Sequence, residues 1–398
     1  MATGDVAWPS WSADGKRVVF IRFLANTIES VPAEGGTAID VFRGPKGERI
    51  ASAIELTDRT LLISMPPSGS IPGTTGQYEL WRAYPDRTGV VRDAPRRLTW
   101  NGANASELTA SSNGRVAFLD TRYQSDVYAA DADLRSGSVH VPRRFTLSDS
   151  DNFAYTWTPD SAAVLLSSNR HGTWDIFKQR LDSDIAEPFL SGPEHQGYPG
   201  VTSDGRWVLY AHGTGVDDNI MRTSLSGGAP AEVVPHVGRG RLQCAQHGRC
   251  VLLESLERSF VISSLHPLEG KGNELVRIPS TNGFRLLPDG DTFAYILPTE
   301  NGIRNRVRLL SFIGKPHTDI VVKDAAALVG LGWLPRSSGF LTTDRGKLLL
   351  VFPDGTSKVL WAPTGISSID WAVPSPDERH LVINVATRHS NAWMASRF

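Results

Sequence analysis

SWSADGKRVVF at Ser10–Phe20, TWTPDSAAVLLSS at Thr156–Ser168, GVTSDGRWVLYA at Gly200–Ala211, LLPDGDTFAYI at Leu286–Ile296 and VPSPDERHLVINV at Val373–Val385 repeat one phrase five times. A small or polar residue leads into an Asp-Gly-like turn, and an apolar, β-rich run follows. Degenerate copies lie at Leu56–Ser64, Thr109–Leu119, Cys244–Glu254 and Trp333–Thr343, so the turn residues fall at 14, 58, 113, 160, 204, 247, 289, 336 and 377. A recurrence of 41 to 55 residues with several short strands per period marks a β-propeller. The expected fold is therefore all-β: a single propeller over residues 1–398, built from about nine four-stranded units in one ring of eight or nine blades. The ring must close. Residues before Trp8 supply the missing strand of the last blade, or that blade has three.

One unit carries the design. FAYTWT from Phe153 reads as an inner strand, AVLLSS as a strand buried on both faces, WDIFKQRL as an alternating third strand and AEPFLS as the outermost. Asp can bond backbone two residues on, and a following Gly takes positive φ without steric cost. Asp14, Asp160, Asp204, Asp289 and Asp377 are accordingly read as turn formers, and Asn113 and His247 replace them because charge is dispensable there.

Composition removes several functions. Lys and Arg number 41 against 42 acids, a net charge of −1 without a basic run, which excludes a nucleic-acid partner. No apolar run reaches eighteen residues, so no direct membrane span is expected. MATGDVAWPS lacks the regions of a signal peptide. No G-x-S-x-G elbow, P-loop or dinucleotide fingerprint is present, and the ten His stand singly, without zinc spacing. The expectation is no catalytic motif, no metal and no cofactor. Acids or His that converge in the channel from distant repeats would escape this reading.

Candidate ligand residues lie where propeller loops and inner strands meet the central funnel. Arg122, Arg170, Arg345 and Arg388, with Arg22 and Arg258 nearby, recur in the loop between second and third strands. Such a ring could hold a carboxylate or phosphate by paired contacts, or each Arg could tie its blade to its neighbour. His171 accompanies Arg170. Tyr155, Tyr198 and Trp371 enter inner strands, as do Trp8, Trp11, Trp157 and Trp333; they would line a peptide-binding funnel or pack between blades. Cys244 and Cys250 flank one hairpin turn and face each other across adjacent strands, either as reduced thiols or as a disulfide in an oxidising compartment. Variation is also expected at the long insertion around Pro66–Gly76.

WSADGKRVVF and SSNRHGTWDIF (Ser167–Phe177) resemble the Pro-Asp-Gly repeats of TolB-type, WD-like propellers along nearly the whole chain. The stretch Cys244–Ile278, then WAVPSPDERHLVI and SNAWMASRF, is similar to the C-terminal extracytoplasmic propellers of large bacterial signalling proteins. In those, a serine/threonine kinase or winged-helix regulator precedes a membrane helix, and none of these segments is present here. The resemblance implies a disulfide between the two Cys, a periplasmic location and a monomer or part of a longer signalling chain. The function expected is a non-catalytic sensor that binds a protein or peptide segment, or a small anionic ligand, at the funnel. The alternatives are an assembly scaffold, or a hydrolase or lyase with its acids or His in the channel.

Overall fold

The computed structural model describes residues 6–23, 25–45, 49–66, 78–99, 104–214, 217–238, 240–256, 259–281, 283–299, 301–336, 339–365 and 367–396. The insertion after Pro66 and Arg258 lie outside them. Among the described residues every regular element is a β-strand, and the strands pair antiparallel, mostly in fours. The chain is an all-β propeller protein.

The repeated turn forms as its residues dictate. The N–H groups of Gly15, Ser161, Gly205 and Glu378 return to the carbonyls of Ser12, Thr158, Thr202 and Ser375 at 2.9–3.0 Å. The Asp before each closes the turn. Asp204 accepts from Thr202 Oγ1 at 2.5 Å and Arg206 N at 3.0 Å, and Asp160 accepts from Thr158 Oγ1 at 2.5 Å and Ala162 N at 3.0 Å. These hydroxyl and amide bonds hold both carboxyls below the usual carboxylate range. Ser161 and Glu378 adopt φ of 59° and 63° where the other turns carry Gly, so the turn's bonds carry non-glycine residues into the left-handed region.

The chain divides into two compact units, and the division falls within two long strands, Arg115–Asp133 and His380–Ser396. The first unit comprises residues 1–123 and 388–398. It holds two four-stranded sheets, beginning at Val6 and at Ser52, and a third sheet in which Ala105–Ala110 pairs with the start of Arg115–Asp133. Ser390 lies beside this third sheet, its hydroxyl 3.0 Å from that of Thr121. Val19, Ile21 and Ile28 pack on Ile63 between the first two sheets; Leu62 and Leu80 pack on Leu108 and Val116 between the second and third.

The second unit, residues 124–387, holds the remaining six repeats. Its inner strands Asn152–Trp157, His195–Val201, Arg241–Cys244, Phe284–Leu286, Leu328–Trp333 and Ser367–Pro374 touch in that order, and the last returns to the first. Six apolar layers separate the six sheets. The layer that closes the circuit sets Val127, Val373 and Val382 against Ala154, Trp157 and Val164. Six of the nine repeats thus return on themselves within this unit. The closing strand differs from expectation. It comes from the second half of Arg115–Asp133, not from residues before Trp8: Ala132 N donates to Arg379 O at 2.8 Å, and His380 Nδ1 lies 3.0 Å from Asp131 Oδ1.

The seam is specific. Asn384 Oδ1 accepts from Ala154 N at 2.7 Å while its Nδ2 donates to Ala154 O at 3.1 Å. Trp371 Nε1 donates to the same carbonyl at 3.1 Å, and Trp157 Nε1 to Val373 O at 3.0 Å. A buried peptide group thus finds full satisfaction from the sheet on the other side of the closure.

Candidate functional site

Four inner strands of the second unit break register near their middle. Tyr155 falls in the shift between Ala154 and Thr156, Tyr198 in that between Gly197 and Gly200, Gly330 between Val329 and Leu331, and Asp370 between Ile369 and Trp371. A bulge of this kind bends a strand and re-aims one side chain. Tyr198 and Gly330 take φ of 54° and 62° to do so. For Tyr198 this is a strained conformation, of a kind concentrated at binding sites. At Gly330 a side chain is excluded, since a Cβ would collide with Asp370 O on the neighbouring strand.

The re-aimed rings meet. Tyr155 lies edge-on to Tyr198 with centroids 5.3 Å apart on one side and 5.9 Å from Trp371 on the other. A side chain that touches both neighbouring inner strands sits on the wall they share, at the inside of the circuit. Phe153 stacks on Trp371 at 5.6 Å and meets Trp174 at 5.6 Å. At the other end Arg241, exposed, places its guanidinium 5.5 Å from the Tyr198 ring. The row runs Trp174, Phe153, Trp371, Tyr155, Tyr198, Arg241, crossing four consecutive sheets. Burial, and next the charge on Tyr198, push the Tyr155 hydroxyl well above its ordinary pKa, against the pull of Arg241. Tyr155 is a neutral donor at any physiological pH.

Two charges on this inner circuit are unpaired. Arg285 makes no hydrogen bond or ion pair with the described residues, and burial pushes its pKa down to about 10, so it remains a cation. Asp370 likewise has no side-chain partner, and burial pushes its carboxyl up to about 6. His195, at the start of its inner strand, is held below its ordinary value by burial, against Asp218 and Asp175, and is mostly neutral at pH 7. The described residues contain no group of three His, Cys, Asp or Glu able to hold a metal ion.

The recurring arginines differ in their surroundings. Arg170 braces its own blade: it bonds Ser168 Oγ and Asn152 Oδ1 at 3.1 Å and covers the Phe177 ring at 4.2 Å. His171 shares that loop, its Nδ1 3.2 Å from Asp175 Oδ2. Arg345 is exposed in a hairpin turn at φ 48°. Arg122 and Arg388 belong to the first unit, the former 3.6 Å from Asp120, the latter over the Tyr123 ring at 5.9 Å. Of the aromatics, Tyr155, Tyr198 and Trp371 come together, while Trp157 and Trp333 are buried in the layers between sheets. Cys244 and Cys250 are bridged, register partners across their hairpin. Sequence reasoning passed over Arg241, Arg285 and Asp370. The available signal was a charged residue inside an inner-strand run, in GFRLL and SSIDWAV.

No protein-family model matches the chain, and no curated relative does. Among solved structures it is similar to TolB from Acinetobacter baumannii, with 12% identity over 88% of this chain and 82% of that one and a TM-score of 0.43. A putative TolB from Agrobacterium tumefaciens shares 13% identity over 96% and 90%, with a TM-score of 0.25. A puromycin-hydrolyzing peptidase of Mycobacterium tuberculosis shares 15% identity over 75% of this chain and 50% of that one, with a TM-score of 0.33. At these levels the propeller assignment rests on the strand pairing itself. Among the described residues no helix is long and apolar enough to cross a membrane.

Proposed function

We propose that residues 124–387 form a complete six-bladed, TolB-type propeller that works as a non-catalytic binding or sensor module. It takes a protein segment, or a small anionic ligand, on the wall made by Trp371, Tyr155, Tyr198 and Arg241. The observation that carries this reading is the unbroken row of ring contacts across consecutive inner strands, ending on an exposed guanidinium. Aromatic faces desolvate an apolar side chain or a peptide plane, and the guanidinium gives a carboxylate a paired contact. The Cys244–Cys250 bridge supports an extracytoplasmic setting, where disulfides persist.

The test is calorimetric titration with a panel of aromatic and acidic peptides, repeated on Tyr155→Ala, Tyr198→Ala and Arg241→Gln. Loss of an aromatic anchor should weaken binding about thirtyfold. Binding untouched by all three substitutions, or turnover of sugars, lactones or peptides by the purified chain, overturns the reading.

One observation favours the enzymatic alternative. Asp370 is an unpartnered carboxyl whose pKa of about 6 suits a general acid near neutrality. A hydrolase or lyase would reveal itself by activity with a limb near pH 6 that Asp370→Asn abolishes.

A further inference from the structure

Arg285 and Asp370 are two opposite charges that the wall of rings does not use. Each stands on an inner strand of the second unit, Phe284–Leu286 and Ser367–Pro374, with Leu328–Trp333 between them in the circuit. The outer edge of each strand is taken by its own sheet: Arg285 is the register partner of Ala294, and Ile369 and Trp371, either side of Asp370, pair with Val385 and Asn384. Phe284 and Leu286 pack toward the preceding sheet, so Arg285, which alternates with them, faces the following one. Neither charged side chain has a hydrogen bond or ion pair among the described residues. Both are nevertheless only half-buried, and neither has a polar atom sealed from solvent without a partner. Water reaches them. With the outer edges paired and the layers between sheets apolar, it reaches them from inside the circuit.

The strand between them does not screen one from the other. Gly330 and Gly332 carry no side chain, and the flanking backbones close on Gly330 from both sides. A Cβ on Gly330 would strike Asp370 O, and a Cβ on Gly283, two residues before Arg285, would come within 3.2 Å of Gly330 N. Burial lowers the pKa of Arg285 and raises that of Asp370, and no described charge acts on either, so they do not pair with each other. An isolated charge in such a space is costly to keep, and a simple ion satisfies only one of the two. A molecule with one charge of each sign satisfies both and adds no net charge. Its orientation follows from the neighbours. Asp370 directly precedes Trp371, whose ring lies 5.9 Å from Tyr155, and aromatic faces favour an ammonium group. Arg285 offers the planar fork that takes a carboxylate by two parallel bonds. We propose that the inside of this circuit binds an amino acid or short peptide with both ends free, its amine at Asp370 and its carboxylate at Arg285. The proposal rests on the binding reading above and names the chemistry of its ligand.

The experiment is calorimetric titration of the full chain with tryptophan, Trp-Ala and Trp-Ala-Ala, each also in N-acetylated and in C-terminally amidated form. The expected result is binding of the free compound at one or more of these lengths, weakened about tenfold or more by either block. Tightest binding by tryptophan assigns the site to an amino acid, and by a longer probe to a peptide; both bear the proposal out. Two variants separate the ends. Arg285→Met should abolish the penalty of amidation and keep that of acetylation, and Asp370→Asn should do the reverse. Each substitution removes an unpaired charge, so both variants should keep the wild-type circular dichroism. Free and blocked compounds that bind alike overturn the proposal, as do penalties that survive both substitutions, or no binding by any free compound. The wall of rings has its own readout. If the panel of aromatic and acidic peptides loses affinity with Tyr155→Ala and Tyr198→Ala while blocked ends change nothing, the binding reading stands and this inference falls.

Discussion

Replacing Asn384 with Ala tests how the second unit is held shut. Asn384 is fully buried and satisfies both polar atoms of the Ala154 peptide group, accepting at 2.7 Å and donating at 3.1 Å. The carbonyl keeps Trp371 Nε1 as a donor, but the Ala154 N–H is left without a partner. Two hydrogen bonds lost at about 1 kcal/mol each, and one stranded buried donor at about 1–2 kcal/mol, give a destabilisation of about 3–4 kcal/mol. Asn384→Asp sharpens the test. A buried carboxylate can accept from Ala154 N but repels Ala154 O, whereas the protonated acid can donate to it. Burial raises this carboxyl's folded pKa above its unfolded value of about 3.9, so the acid's contribution is fully present below that value and is lost as pH rises through the folded one. Asn384→Asp should therefore lie close to wild type near pH 4 and fall below Asn384→Ala at pH 7. Urea unfolding with hydrogen exchange read on residues 152–157 and 380–387 follows the seam itself. A loss under about 1 kcal/mol for Asn384→Ala, or an Asp variant as stable as wild type at pH 7, would refute the reasoning.

Breaking the Cys244–Cys250 bridge, whose sequence separation is 6, should cost about 2 kcal/mol by loop entropy, measured as equal urea-midpoint shifts for the double Ser variant and for wild type in reductant. Asp204→Ala should lose about 1–2 kcal/mol by thermal denaturation, since the Thr202 and Arg206 bonds both go, while Asp204→Asn keeps most of it as Asn113 does in its own repeat. Asp14, Asp160 and Asp204 have folded pKa values below their unfolded ones, so the stability they add is present above pH ~4 and is lost as pH falls through the lowered values. A pH titration by circular dichroism should show an acid limb that an Asn substitution at all three positions flattens. Asp370 has the opposite sign: with its carboxyl raised to about 6, stability falls as pH rises from about 4 to 6, and Asp370→Asn should remove that slope and stabilise the fold at pH 7 by on the order of 2 kcal/mol.

What the sequence disclosed and what it concealed divide by the range of the interaction. The turn phrase was legible because its chemistry is complete within five residues: Thr202, Asp204 and Arg206 bond one another, and no distant group is needed. Counting such turns gave nine units but not where a circuit closes. Closure depends on contacts such as His380 with Asp131, 249 residues apart, which no spacing records. The same limit acts at the site. Arg170 and Arg345 occupy like positions in their repeats, yet one lies over Phe177 and the other is exposed to solvent, so repetition of residue type did not mean a repeated environment. Arg285 and Asp370 were invisible because being unpaired is a property of the neighbours, not of the residue. Trp11 and Trp157 make the point most sharply. The local phrase gives both the same position, three residues before an Asp turn, and one is 63% exposed while the other is 4% exposed. Trp157 packs against the sheet of Val373 and Val382, and among the described residues no sheet covers Trp11. A repeat therefore encodes the surface each unit offers to its neighbour, and not whether that surface is covered.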